Sequence, residues 1–301
     1  MAKKVTVSKI LTSATVQMFL VAGVFFCIGL VVVLSKAAVP GIGLEANSGT
    51  LSGNAQSVTD ATASKGSAVK FGQSAPSGEY LLFDGFDGTS LRTDLWTAMT
   101  RPHRYRNNEE QDYRPSQAKV ENGNLVITAF KDATGWHSAE LNGKPAFRYA
   151  EFEVRMRMDK VGKGTWPAAW LLATTDGWLG GGEIDIMENV NGQNIVHGNL
   201  HMGGSVGHWG IGRQYSPVDV TQWHTYKMIN TPGHITWWVD GIKRGDYDKS
   251  AATAGRNWPF DTHDYYGLLN LAMGGAWPGP TDATTPNPVS LYVDYYSVKK
   301  L

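Results

Sequence analysis

The chain has 301 residues, with 27 basic and 27 acidic side chains and a formal net charge of zero. That balance gives no electrostatic footprint for nucleic acid and no acidic solvating tail. A single cysteine, Cys27, excludes an intramolecular disulfide, and no Cys/His metal-ligand spacing or phosphate-cradling glycine loop is present.

The N-terminus carries Lys3, Lys4 and Lys9, then an apolar run over 16–34 broken only by Gln17. As a helix this run would span about 28 Å, enough for a bilayer core. Secretory signals have shorter apolar cores of about 7–15 residues, which favours an uncleaved anchor. Against that, Ser35-Lys36-Ala37 offers small residues at the −3 and −1 positions of a signal-peptidase site. Residues 1–36 are therefore a signal anchor or a signal peptide, with Cys27 facing lipid or removed. Either reading exports the rest. The domain beyond is held at the membrane outside the cytoplasm, or secreted if the segment is cleaved. Residues 37–78 are rich in Gly, Ser, Ala and Thr and poor in large apolar residues. Such a stretch cannot bury enough surface to fold, so a flexible linker is expected.

From residue 79 to 301 the composition becomes that of one folded domain. The chain's eleven Trp, twelve Tyr and 35 Gly suit an all-β fold with short turns. Asn122-Gly123 separates a strand at 118–120 from one at 124–130, a hairpin signal. Over 151–158, Phe152, Val154, Met156 and Met158 alternate with Glu151, Glu153, Arg155 and Arg157, the period of a half-buried strand. Asp240-Gly241 closes a second hairpin after 235–239, and 291–298 reads as a last strand. No long stretch has helical periodicity. Two antiparallel sheets packed face to face are expected, one curved around a groove.

The informative segment is Glu183-Ile184-Asp185-Ile186-Met187-Glu188. In a regular strand Glu183 and Asp185 share a face and Glu188 points away. One extra residue near Ile186-Met187, a β-bulge, turns Glu188 back to their side, and bulges are enriched beside active sites. A pair of acids across a scissile bond is what glycoside hydrolysis needs. An exposed strand edge and a calcium cage are the competing readings of these six residues, the latter because Gly180-Gly181-Gly182 precede them.

Further motifs appear in order: Asn107-Asn108-Glu109, Phe152-Glu153-Val154-Arg155, Thr165-Trp166-Pro167-Ala168-Ala169-Trp170, His197-Gly198-Asn199-Leu200-His201, a glycine-rich string from Asn270 to Gly279, and Tyr292-Val293-Asp294-Tyr295. Together with the carboxylate segment, they make the domain resemble glycoside hydrolase family 16, in its laminarinase-like endo-β-1,3-glucanase branch. The resemblance covers about 80–301. It implies a β-jelly-roll sandwich with a substrate cleft across the concave sheet. It also implies retaining hydrolysis of β-1,3-glucan, with Glu183 as nucleophile, Asp185 as supporting carboxylate and Glu188 as acid/base. The two working glutamates would lie about 13 Å apart along the strand, with their arms leaning together over Asp185.

Substrate contacts implied are Asn107, Asn108, Arg155, Trp166, Trp170, His201 and Trp277, with His201 beside Glu188 and Arg155 near the cleft. His197 is read as structural. Two departures from the family pattern stand out: Ala276 replaces the usual Asn before Trp277, and Glu110-Gln111 follows the Asn-Asn-Glu. No cofactor is required, although Asp294 with the strand near Asp84 suggests a structural calcium ion. The expected partner is a β-glucan, met by a monomer, with membrane contact only through an uncleaved N-terminus. Two rival readings share the fold. One is a transglycosylase, or a hydrolase of mixed-linkage glucan or exopolysaccharide. The other is a non-catalytic glucan-binding protein, which intact Glu183 and Glu188 argue against.

Overall fold

The computed structural model describes residues 55–59, 67–71 and 79–301. The N-terminal apolar run, Cys27 and most of the expected linker lie outside the described residues. Within the linker segment, β1 (Ala55–Thr59) and β2 (Ser67–Phe71) pair as a two-stranded sheet of their own. Val58, Thr59 and Val69 give these short stretches a β-propensity that an average over 37–78 conceals. Among the described residues, no helix is long and apolar enough to cross a membrane.

The folded domain begins with β3 (Tyr80–Asp84), β4 (Trp96–Ala98), β5 (Gln111–Tyr113), β6 (Ala118–Glu121), β7 (Asn124–Asp132), β8 (Gly135–Ser138), β9 (Glu140–Phe147) and β10 (Ala150–Met158). It continues with β11 (Thr165–Ala173), the short helix α1 (Gly177–Gly181), β12 (Glu183–Glu188), β13 (Val196–Met202), β14 (Trp209–Tyr215) and β15 (His224–Thr231). The last strands are β16 (His234–Val239), β17 (Ile242–Asp248), β18 (Tyr265–Met273) and β19 (Val289–Lys300).

These strands form two sheets. A ten-stranded sheet runs β17-β16-β15-β10-β19-β7-β8-β5, with β3 also on β19 and β6 on β7. A seven-stranded sheet runs β14-β13-β12-β11-β18-β9-β4. The ladders are antiparallel except β5 with β8. The all-β jelly-roll sandwich expected from the sequence is the fold observed.

Local chemistry explains the main elements. Ala150, Phe152, Val154, Met156 and Met158 are buried along β10, while the residues between them are half-exposed. Asn122 and Gly123 have φ of 52° and 68°, and Asp240 and Gly241 have 50° and 75°. Positive φ at both central residues is the I′ geometry whose twist matches the flanking strands. The core lies between the sheets, with Leu171, Ile184, Leu200 and Leu271 on one side and Phe152, Val154, Trp237 and Leu291 on the other. Each large apolar side chain buried there contributes about 1.5–3 kcal/mol relative to exposure.

The seven-stranded sheet is covered on its outer face as well. On β11, Ala169 and Leu171 belong to the main core, whereas Trp166, Ala168 and Trp170 form small clusters on the opposite face. On β12 the alternation breaks. Asp185 pairs with Asn199 and Glu188 with His197, so Ile186 and Met187 together face Gly198 alone. The same shift appears against β11, where Trp170 pairs with Asp185 and Ala169 with Met187. This is the expected bulge. It sends both Ile186 and Met187 into the core, at 2% and 1% exposure, and leaves three carboxylates on the outer face.

A cross-sheet contact holds it. Trp237 of β16 donates its indole N–H to the carbonyl oxygen of Asp185 at 2.8 Å. A Cβ at position 198 would come within 2.6 Å of that indole, so the approach requires glycine there. Trp237→Phe keeps an aromatic ring but removes the donor with the pyrrole half of the indole, leaving a buried carbonyl without this partner. The expected loss is about 1–3 kcal/mol of unfolding free energy by urea titration. Unchanged stability would show that the indole N–H does not hold the bulge.

Candidate active site

A cavity of about 840 Å³ opens over the outer faces of β11, β12, β13 and β18. Glu183, Asp185 and Glu188 all line it. Glu188 is fixed at both oxygens. The Trp166 indole N–H donates to Oε1 at 3.0 Å, and the Asn199 amide donates to Oε2 at 2.8 Å. His201 places Nε2 3.3 Å from Asp185 Oδ2 and 3.9 Å from Glu183 Oε1. It therefore serves the other end of the row from the one expected. The register explains this, since Glu183 pairs with His201 and Glu188 with His197.

The aromatic residues divide by exposure. Trp166 and Trp170 are 9% and 8% exposed, and their indole N–H groups are engaged by Glu188 and Asn270. They position polar groups in the floor and offer little free ring face. Trp277 is 42% exposed and sits edge-on to Trp166, at the Glu188 end. Trp178 of α1 is 49% exposed and stacks on His208, which stacks on His201 at the Glu183 end. One open ring thus stands on each side of the carboxylate row.

The loop before β5 supplies another wall. Asn107 lines the cleft, donates to Glu109 and accepts from the Ala276 N–H through its carbonyl. Arg106 pairs with buried Glu140 and lies over the Trp170 ring. Glu109 is buried, which pushes its pKa up, while Arg106, Gln111, Tyr113 and Asn107 oppose that shift.

Two expected contacts are corrected. Asn108 is exposed and does not line the cavity; its φ of 54° marks it as a turn residue. Arg155 lies on β10 in the other sheet, where it pairs with Asp294 at 2.7 Å and covers Trp223. Its alternating position put it off the core, but onto the outer face of the opposite sheet. Sequence reasoning missed Asn199, Arg106, Trp178, His208 and Asn270. Asn199 was accessible in principle, because pairing the His197–His201 motif against β12 places it opposite Asp185.

Burial raises all three carboxyls. Glu188 is pushed up to about 8, by burial first and the Asp185 charge second, against the Trp166 and Asn199 donors. Asp185 is pushed up to about 8 by burial, opposed by hydrogen bonds from Asn199 and Glu188. Glu183 is raised well above its ordinary value, by burial first and then the Asp185 charge, with His201 and Arg106 opposing. Its side chain is 16% exposed against 3% for Asp185. Carboxylates this close cannot all ionise. Burial thus favours retained protons along the whole row, Glu188 included. A nucleophile and a proton donor on one face are what retaining glycoside hydrolysis requires. Glu183, Asp185 and His201 also bring one ligand-capable atom each within 4.8 Å of one another, a spacing that a metal ion fits.

Comparison with known proteins agrees with this geometry. The family model described as "Glycosyl hydrolases family 16" matches residues 106–296. A beta-glucanase of Rhodothermus marinus is 34% identical over 247 residues, covering 74% of this chain and 86% of the relative. The X-ray structure of an endo-beta-1,3-glucanase from Pyrococcus furiosus superposes with a TM-score of 0.67 at 34% identity, covering 73% of this chain and 93% of that one. A laminarinase catalytic domain from Thermotoga maritima gives 0.66 at 31% identity, covering 74% and 98%.

The raised pKa of Glu188 has a stability consequence. Its folded-state value lies above its ordinary value of 4.5, at about 8. Its contribution is therefore complete below the unfolded pKa and is lost as pH rises through the folded one. Glu188→Gln should melt close to the parent near pH 4 and above it at pH 8–9. A gap in melting temperature that stays constant across this range would contradict the assignment.

Proposed function

We propose that this chain, which belongs to glycosyl hydrolases family 16 and is a glycosidase, cuts internal β-1,3 bonds of a glucan with retention of configuration. The observation that carries the reading is the bulged β12, which aims Glu183 and Glu188 into one cleft with Glu188 held at both oxygens. Glu183 attacks the anomeric carbon, and a glycosyl-enzyme forms as Glu188 passes its proton to the departing glycosidic oxygen. Glu188, now ionised, takes a proton from water, which attacks the same carbon and releases Glu183. Asp185 lies between them on the same face and, when ionised, raises the hold of Glu188 on its proton.

Action inside a polymer is supported by Trp178 and Trp277, since open rings on both sides of the carboxylates suit sugar units on both sides of the scissile bond. The β-1,3 preference is carried over from the glucanase and laminarinase relatives. The chemistry uses side chains alone. A calcium ion at Asp84 and Asp294 forms no part of this reading. Asp84 accepts from the Phe86 N–H and the Trp96 indole, and Asp294 holds Arg155. We also propose that the enzyme is exported as a monomer: residues 1–36 anchor it or are cleaved, 37–78 tether it, and 79–301 form the catalytic domain.

Purified protein incubated with laminarin, lichenan, agarose and xyloglucan should release short oligosaccharides from laminarin. Products longer than the starting oligosaccharides would instead indicate transfer, and retention on insoluble glucan without new reducing ends a binding protein. Glu183→Gln and Glu188→Gln should each lose about 10²–10⁴-fold or more in kcat, and Asp185→Asn less. Most of the turnover surviving in Glu183→Gln would overturn the mechanism. Activity of the parent should fall on the alkaline side as Glu188, at about 8, loses its proton; a rate that keeps rising through pH 9 would exclude it as the acid.

A further inference from the structure

A second cluster of titratable groups sits behind the cleft rim, where β5 meets β8. His103 precedes β5, Asp112 lies on β5, and His137 lies on β8 as the register partner of Asp112. One ligand-capable atom of each lies within 4.8 Å of the other two. None of the three takes part in the chemistry described above.

Hydrogen bonding orients both imidazoles. His103 Nδ1 is 2.7 Å from the carbonyl oxygen of Glu110, which can only accept. Nδ1 therefore carries the hydrogen, and Nε2 turns a lone pair toward Asp112, 3.8 Å from Oδ2. His137 Nε2 faces Asp132 Oδ1 at 3.0 Å and Thr134 Oγ1 at 2.9 Å. The Thr134 hydroxyl spends its own hydrogen on Asp132 at 2.6 Å, so both partners accept and Nε2 is the donor. His137 Nδ1 lies 2.6 Å from Asp112 Oδ1. A proton on Nδ1 or a metal ion in its place bridges this contact, and metal binding displaces the proton. His137 is fully buried, at 0% exposure.

We propose that His103 Nε2, Asp112 Oδ1 and His137 Nδ1 bind a divalent transition-metal ion, with zinc the best match. Two imidazole nitrogens and one carboxylate suit zinc and its neighbours, whereas calcium takes oxygen ligands. Each ligand also has the outer partner that metal sites use to orient their ligands. Glu110 holds His103, Asp132 holds His137, and the Arg114 guanidinium holds the other Asp112 oxygen at 2.9 Å. On a tetrahedral zinc with bonds of about 2.0–2.1 Å, ligand atoms lie roughly 3.3 Å apart. His137 Nδ1 and Asp112 Oδ1, 2.6 Å apart, would have to draw apart to that spacing, and the His103 ring, 39% exposed, is free to adjust. Gly135, at φ +122°, leaves it room, because a Cβ there would lie 3.0 Å from His103 Cε1. The ion would clamp both ends of the loop that presents Tyr105, Arg106, Asn107 and Glu109 to the cleft.

Zinc chloride titrated into chelator-treated protein by calorimetry, with melting temperature as a second readout, tests this. The parent should bind one zinc per chain and melt higher with it. Glu183→Gln, which disrupts the other metal-capable cluster, should bind equally well. His103→Ala should bind at least 10–100-fold more weakly, the range already caused by outer-partner changes, and lose the thermal shift. If His103→Ala misfolds by circular dichroism, His103→Gln serves in its place. No binding by the parent, or binding that His103 variants leave unchanged, would overturn the proposal. So would binding lost in Glu183→Gln and kept in His103→Ala, which would put the ion in the cleft.

Discussion

The site depends on one extra residue in β12. Without it, Glu188 would point into the space occupied by Ile186 and Met187, where an unpaired carboxylate costs several kcal/mol. With it, two consecutive apolar residues enter the core and three acids share the outer face. The bulge is secured from the opposite sheet by Trp237, whose indole reaches the Asp185 carbonyl across a glycine. Packing between the sheets and the placement of the carboxylates are therefore one constraint.

That arrangement sets stability against chemistry. Three carboxyls are confined in a cavity where burial raises each of them. The fold tolerates this because protons are retained and because donors are placed where ionised forms occur. Trp166 and Asn199 hold Glu188 in one orientation through a hydrogen bond to each oxygen. His201 and Arg106 favour negative charge at the other end. The two ends of the row thus differ in their partners, Trp166 and Asn199 at Glu188 against His201 at Glu183.

Much of the fold was legible in the sequence because its determinants are local. Period-2 alternation marked β10, Asn-Gly and Asp-Gly marked two hairpins, and the irregular spacing of Glu183, Asp185 and Glu188 announced the bulge. The remainder depended on strand pairing. Arg155 was visibly off the core, but only the sheet order shows that its face lies away from the cleft. His201 was associated with the wrong glutamate because the register across the bulge decides which end of the row it meets. Trp178 and His208 come from a short helix and a loop without periodicity, and their stacking on His201 is visible only once the chain is folded. The β1–β2 pair escaped notice because two short strands were averaged into a linker-like composition.

The central claim is that the bulge makes Glu183 the nucleophile of a double displacement. The most direct test is to trap that intermediate with an activated 2-fluoro laminaribioside and map the modified peptide by mass spectrometry. The account predicts a stoichiometric adduct on Glu183, with turnover lost in proportion and protection by laminarin. An adduct on another residue, or an active enzyme that releases product of inverted configuration without any adduct, would contradict it.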